Sequence, residues 1–306
     1  MTDQKPATKK PATKKPAVGF IGLGLMGQAF TQRLGGLGYQ VVGHDLDGAK
    51  VDAAAQHGVL AASSAADLTA RSDIILLCVT STDGVRAAVF GPKGVVEAAS
   101  GDKLLVDHST TVLQATKDMA AELRDRTGMA WIDAPVSGGP PAAAAGRLAI
   151  MAGGGEDDIA RAAPLMEDLA AQFTHMGDVG AGQVTKMINQ VLVLNNYAIL
   201  AEALALAEAG GIDAAKIPEA LGAGHAGSNM LAAMYPRMVA RDFAPAGFAR
   251  QILKDLDMLH DLAKDLAVPT PMSSQTANLY RILNSKGHGE LDGIAILKLF
   301  DGKDGL

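Results

Sequence analysis

The order of apolar and polar positions divides this chain into two differently built parts. From Val18 to about Met176, short apolar runs alternate with helical patterns, and several runs are continuous, as in strands that are buried on both faces. This alternation predicts an α/β fold with a doubly wound, mostly parallel sheet. We expect its strands at 18–21, 40–44, 59–61, 73–80, 103–107, 129–133, 148–152 and 172–176.

The pattern changes at Gly177, where a glycine-rich loop precedes a long run without Gly or Pro. The run covers 183–209 and, as a helix, would span ~40 Å. Further helices are expected at 213–221, 228–239, 249–266, 272–286 and 294–300. We therefore predict a tail at 1–17, a sheet domain at 18–178 and an all-helical C-terminal domain at 179–306, which begins with the long interdomain helix.

A glycine-rich turn after the first predicted strand is typical of dinucleotide binding. The segment reads Val18-Gly-Phe-Ile-Gly-Leu-Gly-Leu-Met-Gly27 and leads directly into a helical pattern. The first glycine permits a sharp turn, the second leaves room for a pyrophosphate, and the third lets the helix approach the strand. The start of the helix would offer free N–H groups to the phosphates. We therefore expect a Rossmann-type cofactor site at Gly22, Leu23, Gly24, Leu25, Met26 and Gly27.

The second predicted strand ends next to Asp45, which bears on the choice of cofactor. A carboxylate there would accept hydrogen bonds from the adenine ribose and repel a 2′-phosphate, and Leu46-Asp47 follows where an NADP enzyme usually has Arg. The sequence thus favours NAD over NADP. Val79 and Thr80 end another predicted strand, and we expect them to contact the cofactor as well.

Composition argues against a disulfide-bonded protein, a membrane protein and a metal-binding protein. The 306 residues are 48% hydrophobic and include one cysteine, Cys78, so no internal disulfide can form and a cytoplasmic location is expected. No uninterrupted apolar run approaches the ~20 residues of a membrane span, and we expect no membrane partner. Seven histidines have no metal-ligand spacing, so no metal site is predicted.

The N-terminal tail is unlike the rest of the chain. Residues 1–17 repeat a Pro-Ala-Thr-Lys-Lys unit with five Lys and one Asp, and cannot form a core. Such a basic tail is typical either of a solvated, disordered leader or of a contact with nucleic acid. The chain as a whole has a net charge of −6, which argues against nucleic acid as its main partner.

Lys186 is the strongest candidate for acid–base chemistry. It lies in the first turns of the long predicted helix, where a positive charge opposes the helix dipole. Asn189 and Gln190 share its face of the helix. In a cleft, a desolvated lysine has a lowered pKa and can exchange a proton with a substrate hydroxyl, which either amide could orient. The alternative is a solvated lysine at a frayed helix start.

Two loops that follow predicted strands could hold the other end of a substrate or the cofactor. Ser137 with the N–H groups of Gly138 and Gly139 could bind a carboxylate, although a Gly/Pro-rich surface loop has the same composition. Ser109 or Thr110 could reach a nicotinamide, although Thr110 or Thr111 could instead cap the next helix.

Four motifs in this order resemble the β-hydroxyacid dehydrogenases, and the resemblance covers about residues 18 to 300. They are Gly22-Leu-Gly-Leu-Met-Gly27, Asp133-Ala-Pro-Val-Ser-Gly-Gly139, Gly180-Ala-Gly-Gln-Val-Thr-Lys186 and Lys254-Asp-Leu256. The resemblance implies that Lys186 is the catalytic lysine, that Ser137, Gly138 and Gly139 form the substrate loop, and that Thr110 and Lys254 contact the cofactor. Without the resemblance, Lys254-Asp255 indicates only an ion pair on a solvated helix face.

The chain departs from the family pattern four residues after the lysine, where many members have Asn and this chain has Gln190 preceded by Asn189. That segment, and Ala226-Gly-Ser-Asn229 with Ser228 as a substrate contact, resemble the tartronate semialdehyde reductase version of the family more than the 3-hydroxyisobutyrate version. The hydroxyl-orienting role is therefore open between Asn189 and Gln190.

The resemblance implies a hydride transfer between NAD and a small 3-hydroxy carboxylate or its semialdehyde, in a homodimer or homotetramer. Two alternatives belong to other classes. A non-catalytic relative could use the Lys-rich tail to reach nucleic acid, although the presence of Lys186 speaks against a dead enzyme. An imine reductase of the same fold would usually have Asp or Tyr at the position of Lys186.

Overall fold

The computed structural model describes residues 15–301. Its strands are β1 (Val18–Ile21), β2 (Val41–His44), β3 (Leu60–Ala61), β4 (Ile74–Leu77), β5 (Leu104–Asp107), β6 (Ala130–Asp133), β7 (Val136–Ser137), β8 (Leu148–Gly153) and β9 (Ala170–Gly177). The helices between them are α1 (Leu25–Gly36), α2 (Gly48–Ala55), α3 (Ala65–Ala70), α4 (Thr82–Phe90), α5 (Leu113–Thr127), α6 (Gly139–Ala144) and α7 (Glu156–Glu167).

The strands form one sheet in the order β3-β2-β1-β4-β5-β6-β8-β7, with β9 paired to β8. Strands β1 to β6 pair in parallel, whereas β8 runs antiparallel to β6 and β7. The prediction of a doubly wound, mostly parallel sheet is confirmed. The chain reverses direction across the sheet between β1 and β4, and ligands bind such folds beyond the carboxyl ends of the strands at that point.

Apolar side chains on both faces of the sheet explain why its strands read as continuous apolar runs. Phe20 and Phe30 belong to the core on one face, and Ile75 and Trp131 to the core on the other. The strand predicted over 73–80 ends at Leu77. The loop after it therefore carries Val79 and Thr80 along the carboxyl edge. The two-residue strand β7 was not predicted, because it is too short to show a period.

The C-terminal part is helical, as predicted, and surrounds one long helix. Helix α8 (Ala181–Ala209) has 29 residues. It is followed by α9 (Ile217–Leu221), α10 (Asn229–Val239), α11 (Ala249–Asp265), α12 (Pro271–Ser285) and a 3₁₀ helix at Gly293–Leu299. By length and composition alone, α8 could cross a membrane. Its contribution of Leu194, Ala201 and Leu204 to the C-terminal core accounts for part of its apolar composition.

The structure excludes one alternative for the start of α5 and shows order in the last three residues of the predicted tail. Neither Thr110 nor Thr111 caps α5, because the N-cap is Val112, while the Thr111 hydroxyl lies 2.7 Å from that of Thr116. The last residues of the predicted tail are ordered: Lys15 lies 3.4 Å from Asp168, and Ala17 donates to Asp73 at 2.8 Å. Residues 1–14 lie outside the described residues.

Two buried tyrosines provide a matched test of the C-terminal core. Tyr280 donates to the carbonyl of Gly293 at 2.8 Å, whereas the hydroxyl of Tyr235 has no hydrogen-bond partner among the described residues. Tyr280→Phe removes this buried hydrogen bond, so we expect it to lower the free energy of unfolding by about 1 kcal/mol. Tyr235→Phe should be neutral or stabilising. Urea denaturation measures both, and equal losses would contradict this account.

Candidate active site

The glycine turn between β1 and α1 has the geometry that a pyrophosphate requires. Gly22 has φ +94°, and a Cβ there would lie 2.3 Å from the carbonyl oxygen of Cys78. A Cβ on Gly27 would lie 2.0 Å from the carbonyl oxygen of Gly22, so α1 approaches the turn as closely as possible. At Gly24, by contrast, nothing in the described part of the chain lies within 4 Å of a Cβ. That open space, at the start of α1, fits a dinucleotide phosphate.

Asp45 follows β2 and faces this turn. One carboxylate oxygen accepts the N–H of Leu23 at 2.7 Å, and the other accepts the N–H of Asp47 at 2.9 Å. The Nζ atom of Lys50 lies 3.7 Å from Asp45. The side chain is thus fixed against the glycine turn, while Leu46, the next residue, is exposed.

Lys254 on α11 connects the helical part to the carboxyl edge of the sheet. Its Nζ atom donates to the carbonyl oxygens of Thr80 and Thr110, both at 3.2 Å, and lies 3.0 Å from Asp255. One ammonium group therefore contacts both loops, after β4 and after β5, in which the sequence predicts cofactor-binding residues. Val79 also belongs to this edge, since its N–H donates to the hydroxyl of Ser109 at 3.0 Å.

Lys186 is buried beside the predicted substrate loop. Its side chain is 9% exposed, and Nζ donates to the carbonyl oxygen of Val136 at 2.9 Å. Burial lowers the pKa of Lys186, and the charge of Asp255 partly opposes that decrease. The solvated lysine considered as the alternative does not describe this environment. A buried amine with a lowered pKa is suited to exchanging a proton.

The two amides beyond Lys186 form a chain that leads to Asp255. Asn189 donates to the side-chain oxygen of Gln190 at 2.9 Å, and Gln190 donates to Asp255 at 2.5 Å. Asn189 is only partly buried, whereas Gln190 is buried. Asp255 therefore touches both the amide chain and Lys254, and it is a site residue that the sequence suggested only as half of a surface ion pair.

The segment Ser137–Gly139 lies directly after the carbonyl that holds Lys186. Ser137 ends β7, and both Gly138 (φ +126°) and Gly139 (φ +68°) adopt conformations that disfavour other residues. Gly139 then begins α6. The segment that follows the Val136 carbonyl thus contains a serine and two glycine N–H groups, which are the kind of donors that a carboxylate requires.

Ser228 does not join this group in the structure. Its hydroxyl accepts the N–H of Leu231 at 3.0 Å and caps α10, and the residue is exposed. The sequence could equally have indicated a cap here, because a serine before a helical pattern is a preferred N-cap.

Buried carboxylates beneath the edge are a feature that sequence analysis missed. Asp107 and Asp133, at the ends of β5 and β6, are both fully buried. Burial raises the pKa of Asp107 to about 7 and that of Asp133 to about 6. Burial also raises the pKa of the Cys78 thiol to about 12, so this cysteine stays protonated near neutral pH. Asp133 opens one of the four family motifs, but nothing in the sequence indicates that it or Asp107 is buried at a strand end.

The geometry so far defines a class: an oxidoreductase that binds a nicotinamide dinucleotide at a Rossmann-type sheet edge, closed by a helical domain with a buried lysine. Comparison with known families agrees. Residues 17–177 match the NAD binding domain of 6-phosphogluconate dehydrogenase, and residues 180–300 match the family described as NAD-binding of NADP-dependent 3-hydroxyisobutyrate dehydrogenase.

Individual relatives cover nearly the whole chain. An NAD-dependent L-serine dehydrogenase of Pseudomonas aeruginosa is 34% identical over 94% of this chain and 98% of its own. A 2-hydroxy-3-oxopropionate reductase of Escherichia coli is 34% identical over 92% and 96%, respectively. A solved 3-hydroxyisobutyrate dehydrogenase of Mycobacterium tuberculosis, with L-serine, aligns with a TM-score of 0.82 at 29% identity and covers 94% of this chain and 100% of its own. This chain belongs to the β-hydroxyacid dehydrogenase family, whose members are NAD(P)-dependent enzymes.

Substitutions at two glycines of the turn should have different effects: Gly27→Ala on folding and Gly24→Ala on cofactor binding. Gly27→Ala forces a Cβ against the backbone of Gly22, so we expect a loss of about 1–3 kcal/mol in the free energy of unfolding. Gly24→Ala meets only open space, so its stability should stay within about 1 kcal/mol, the cost of a poorer N-cap. Its Kd for NAD should nevertheless rise at least about tenfold, because the methyl group occupies phosphate space. Calorimetric titration and urea denaturation measure the two effects. Unchanged NAD binding by Gly24→Ala would contradict this assignment.

Proposed function

We propose that this enzyme transfers a hydride between NAD and a small 3-hydroxy carboxylate or its semialdehyde, with Lys186 as the general acid or base. The observation that carries the proposal is the buried Lys186 ammonium on the carbonyl of Val136, at 2.9 Å, directly beside Ser137–Gly139. A hydroxy acid needs a group for its carboxylate and a second group for its hydroxyl proton. Ser137–Gly139 would bind the carboxylate, and Lys186, held by the residue before that segment, would exchange the hydroxyl proton.

NAD⁺, when bound, accepts the hydride that leaves the hydroxyl-bearing carbon with the electron pair of its C–H bond. The residues that would hold it are the turn Gly22–Gly27 and Asp45, together with the loops of Val79, Thr80 and Thr110. Lys254 ties those loops to α11 through two carbonyl oxygens, and so keeps the helical domain closed over this edge. Closure excludes water from the reacting atoms.

The proton step belongs to Lys186 in this proposal. For oxidation, its neutral amine accepts the hydroxyl proton as the C–H bond breaks and the carbonyl double bond forms. For reduction, the ammonium returns that proton to the oxygen. Burial lowers the pKa of Lys186, so the neutral amine is more accessible here than in a solvated lysine. Gln190, held by Asp255, and Asn189 then orient the hydroxyl or the amine.

The substrate is a carboxylate with a hydroxyl one carbon beyond the α-carbon. Ser137, Gly138 and Gly139 would hold the carboxylate. The compounds in the names of three relatives are 2-hydroxy-3-oxopropionate, L-serine and 2-(hydroxymethyl)glutarate. Each has a carboxylate with a hydroxyl, or its oxidised aldehyde form, on the carbon beyond the α-carbon. We favour tartronate semialdehyde or a 3-hydroxyisobutyrate-like acid, on the motifs around Lys186. We do not assign Ser228 to the substrate, because its hydroxyl caps α10.

We also propose a homodimer or homotetramer, assembled through α8. The apolar side chains Ile188, Leu192, Ile199 and Leu206 lie at spacings of four and seven residues, and each is at least half exposed. Such a stripe is typical of a helix that packs against another copy. In this organisation, residues 18–178 bind the cofactor and residues 179–306 complete the substrate site and form the contacts between subunits. We infer a cytoplasmic location from the lone, reduced Cys78.

Replacing Lys186 tests the acid–base role. Lys186→Ala should lower kcat for oxidation by at least about 100-fold, because general acid–base catalysis contributes 10²–10⁴-fold. The Kd for NAD should change little. In the wild type, oxidation should rise as pH passes upward through the lowered pKa of Lys186, and reduction should fall over the same range. Steady-state kinetics in both directions, with a panel of 3-hydroxy acids, measures this. Near-normal kcat in Lys186→Ala would end the proposal.

Asp45 tests the cofactor preference. Its fixed carboxylate would repel a 2′-phosphate, so the wild type should have a higher kcat/KM with NAD than with NADP. Asp45→Ala removes that repulsion and the ribose acceptor together, and we expect the NAD/NADP ratio of kcat/KM to fall at least about tenfold. Asp47→Ala, which removes a neighbouring carboxylate that caps α2, is the control and should change the ratio less. A wild-type preference for NADP would reverse the assignment.

A further inference from the structure

The first turn of α8 is attached to the sheet by one fully buried carboxylate. Asp133, the last residue of β6, accepts the N–H of Gly180 at 2.7 Å and the N–H of Gln183 at 2.8 Å, one with each oxygen. The first N–H groups of a helix have no partner within the helix. The N-cap of α8 is Gly180, which has no side chain to cap them. Asp133 therefore caps this helix from another element of the structure.

The first turn of α8 packs closely against the backbone of the sheet. A Cβ on Gly182 would lie 2.5 Å from the carbonyl oxygen of Asp133 and 2.6 Å from that of Met151. A Cβ on Gly153 would lie 2.5 Å from a carboxylate oxygen of Asp133. The helix thus begins in direct contact with the ends of β6 and β8. We therefore expect a change at Asp133 to affect the position of the helix start relative to the sheet.

Gln183 attaches the same turn to the cofactor edge. Its side-chain oxygen accepts the N–H of Thr111 at 3.1 Å, and its side-chain nitrogen donates to the carbonyl of Ser109 at 2.9 Å. The residue is 1% exposed. Gln183 therefore links α8 to the loop whose Thr110 carbonyl also receives Lys254.

Lys186 lies one turn beyond Gln183, and its Nζ atom returns to Val136, three residues after Asp133. The bonds of Asp133 thus connect the end of β6 to the first turn of α8. Lys186 then connects α8 back to the segment that follows β6. We propose that Asp133 is a positioning residue for the reaction: through Gly180 and Gln183 it fixes where the Lys186 amine stands relative to the substrate loop and the cofactor. This inference rests on the proposed role of Lys186.

A displaced Lys186 amine should lower kcat, because catalysis depends steeply on the positions of the reacting groups. A misplacement of about 1 Å can cost about 100-fold in rate. Asp133→Asn keeps the size of the side chain but leaves one acceptor oxygen where there were two. We expect its kcat to fall at least about 30-fold while its Kd for NAD stays within about twofold, since the glycine turn and Asp45 are untouched.

A double-mutant cycle separates positioning from a general structural effect. If Asp133 acts only through Lys186, adding Asp133→Asn to Lys186→Ala should not lower the residual kcat further. Where the residual rate is too low, a small primary amine added to Lys186→Ala supplies the comparison, because a free amine needs no positioned helix. Additive losses in the cycle would overturn the proposal, as would a normal kcat in Asp133→Asn.

Asp292→Asn is the matched control. Asp292 is also a buried carboxylate, and it accepts the N–H groups of Ala246 and Ile294 within the helical domain. Its replacement should lower the melting temperature without changing kcat per folded molecule. If Asp133→Asn does not fold, Asp133→Ser provides the second variant, since it places no amide N–H against the N–H groups of Gly180 and Gln183. The outcomes are distinguishable. A normal Lys186→Ala refutes the proposed function, whereas an inactive Lys186→Ala with a normal kcat in the folded Asp133 variant refutes only the positioning role.

Discussion

The structure depends on the contact between the start of α8 and the carboxyl edge of the sheet. This contact joins a domain built by parallel strand pairing to a domain built by helix packing, and it does so with polar groups that are almost completely buried. Asp133, Gln183 and Lys186 each use a side chain to reach across it. Buried polar groups are costly unless they are paired. Their mutual pairing therefore fixes a single arrangement of the two domains.

The same contact explains why a lysine can lie where the helix dipole disfavours it. The N-terminal end of α8 carries partial positive charge, and the carboxylate of Asp133 offsets that charge on the sheet side. On the other side, Asp255 lies beside Lys254 and opposes the decrease that burial causes in the pKa of Lys186. One carboxylate thus offsets the positive end of the helix, and the other favours the charged form of the buried Lys186 amine.

Glycines allow close backbone contacts at two places, the turn after β1 and the start of α8, with a different result at each. In the turn after β1, Gly22 and Gly27 bring α1 against the strand, and Gly24 opens the space that a phosphate fills. At the start of α8, Gly182 allows the helix to touch the backbone of β6. The first site leaves open space at the start of α1, and the second brings the start of α8 against the ends of β6 and β8. Both depend on the absence of a side chain.

The sequence by itself determined the sheet, its mostly parallel order, the long helix and the cofactor turn, because each has a local signal in apolar periodicity or glycine spacing. It also singled out Lys186 and Lys254, although it left open whether they are solvated. The tertiary structure alone decided that Lys186 is buried on the carbonyl of Val136, that Lys254 reaches Thr80 and Thr110, and that Ser228 is a helix cap. It alone identified Asp133, Gln183 and Asp255 as partners. These contacts join residues up to 174 positions apart in the chain, and no pattern within one segment records which distant groups will be buried together.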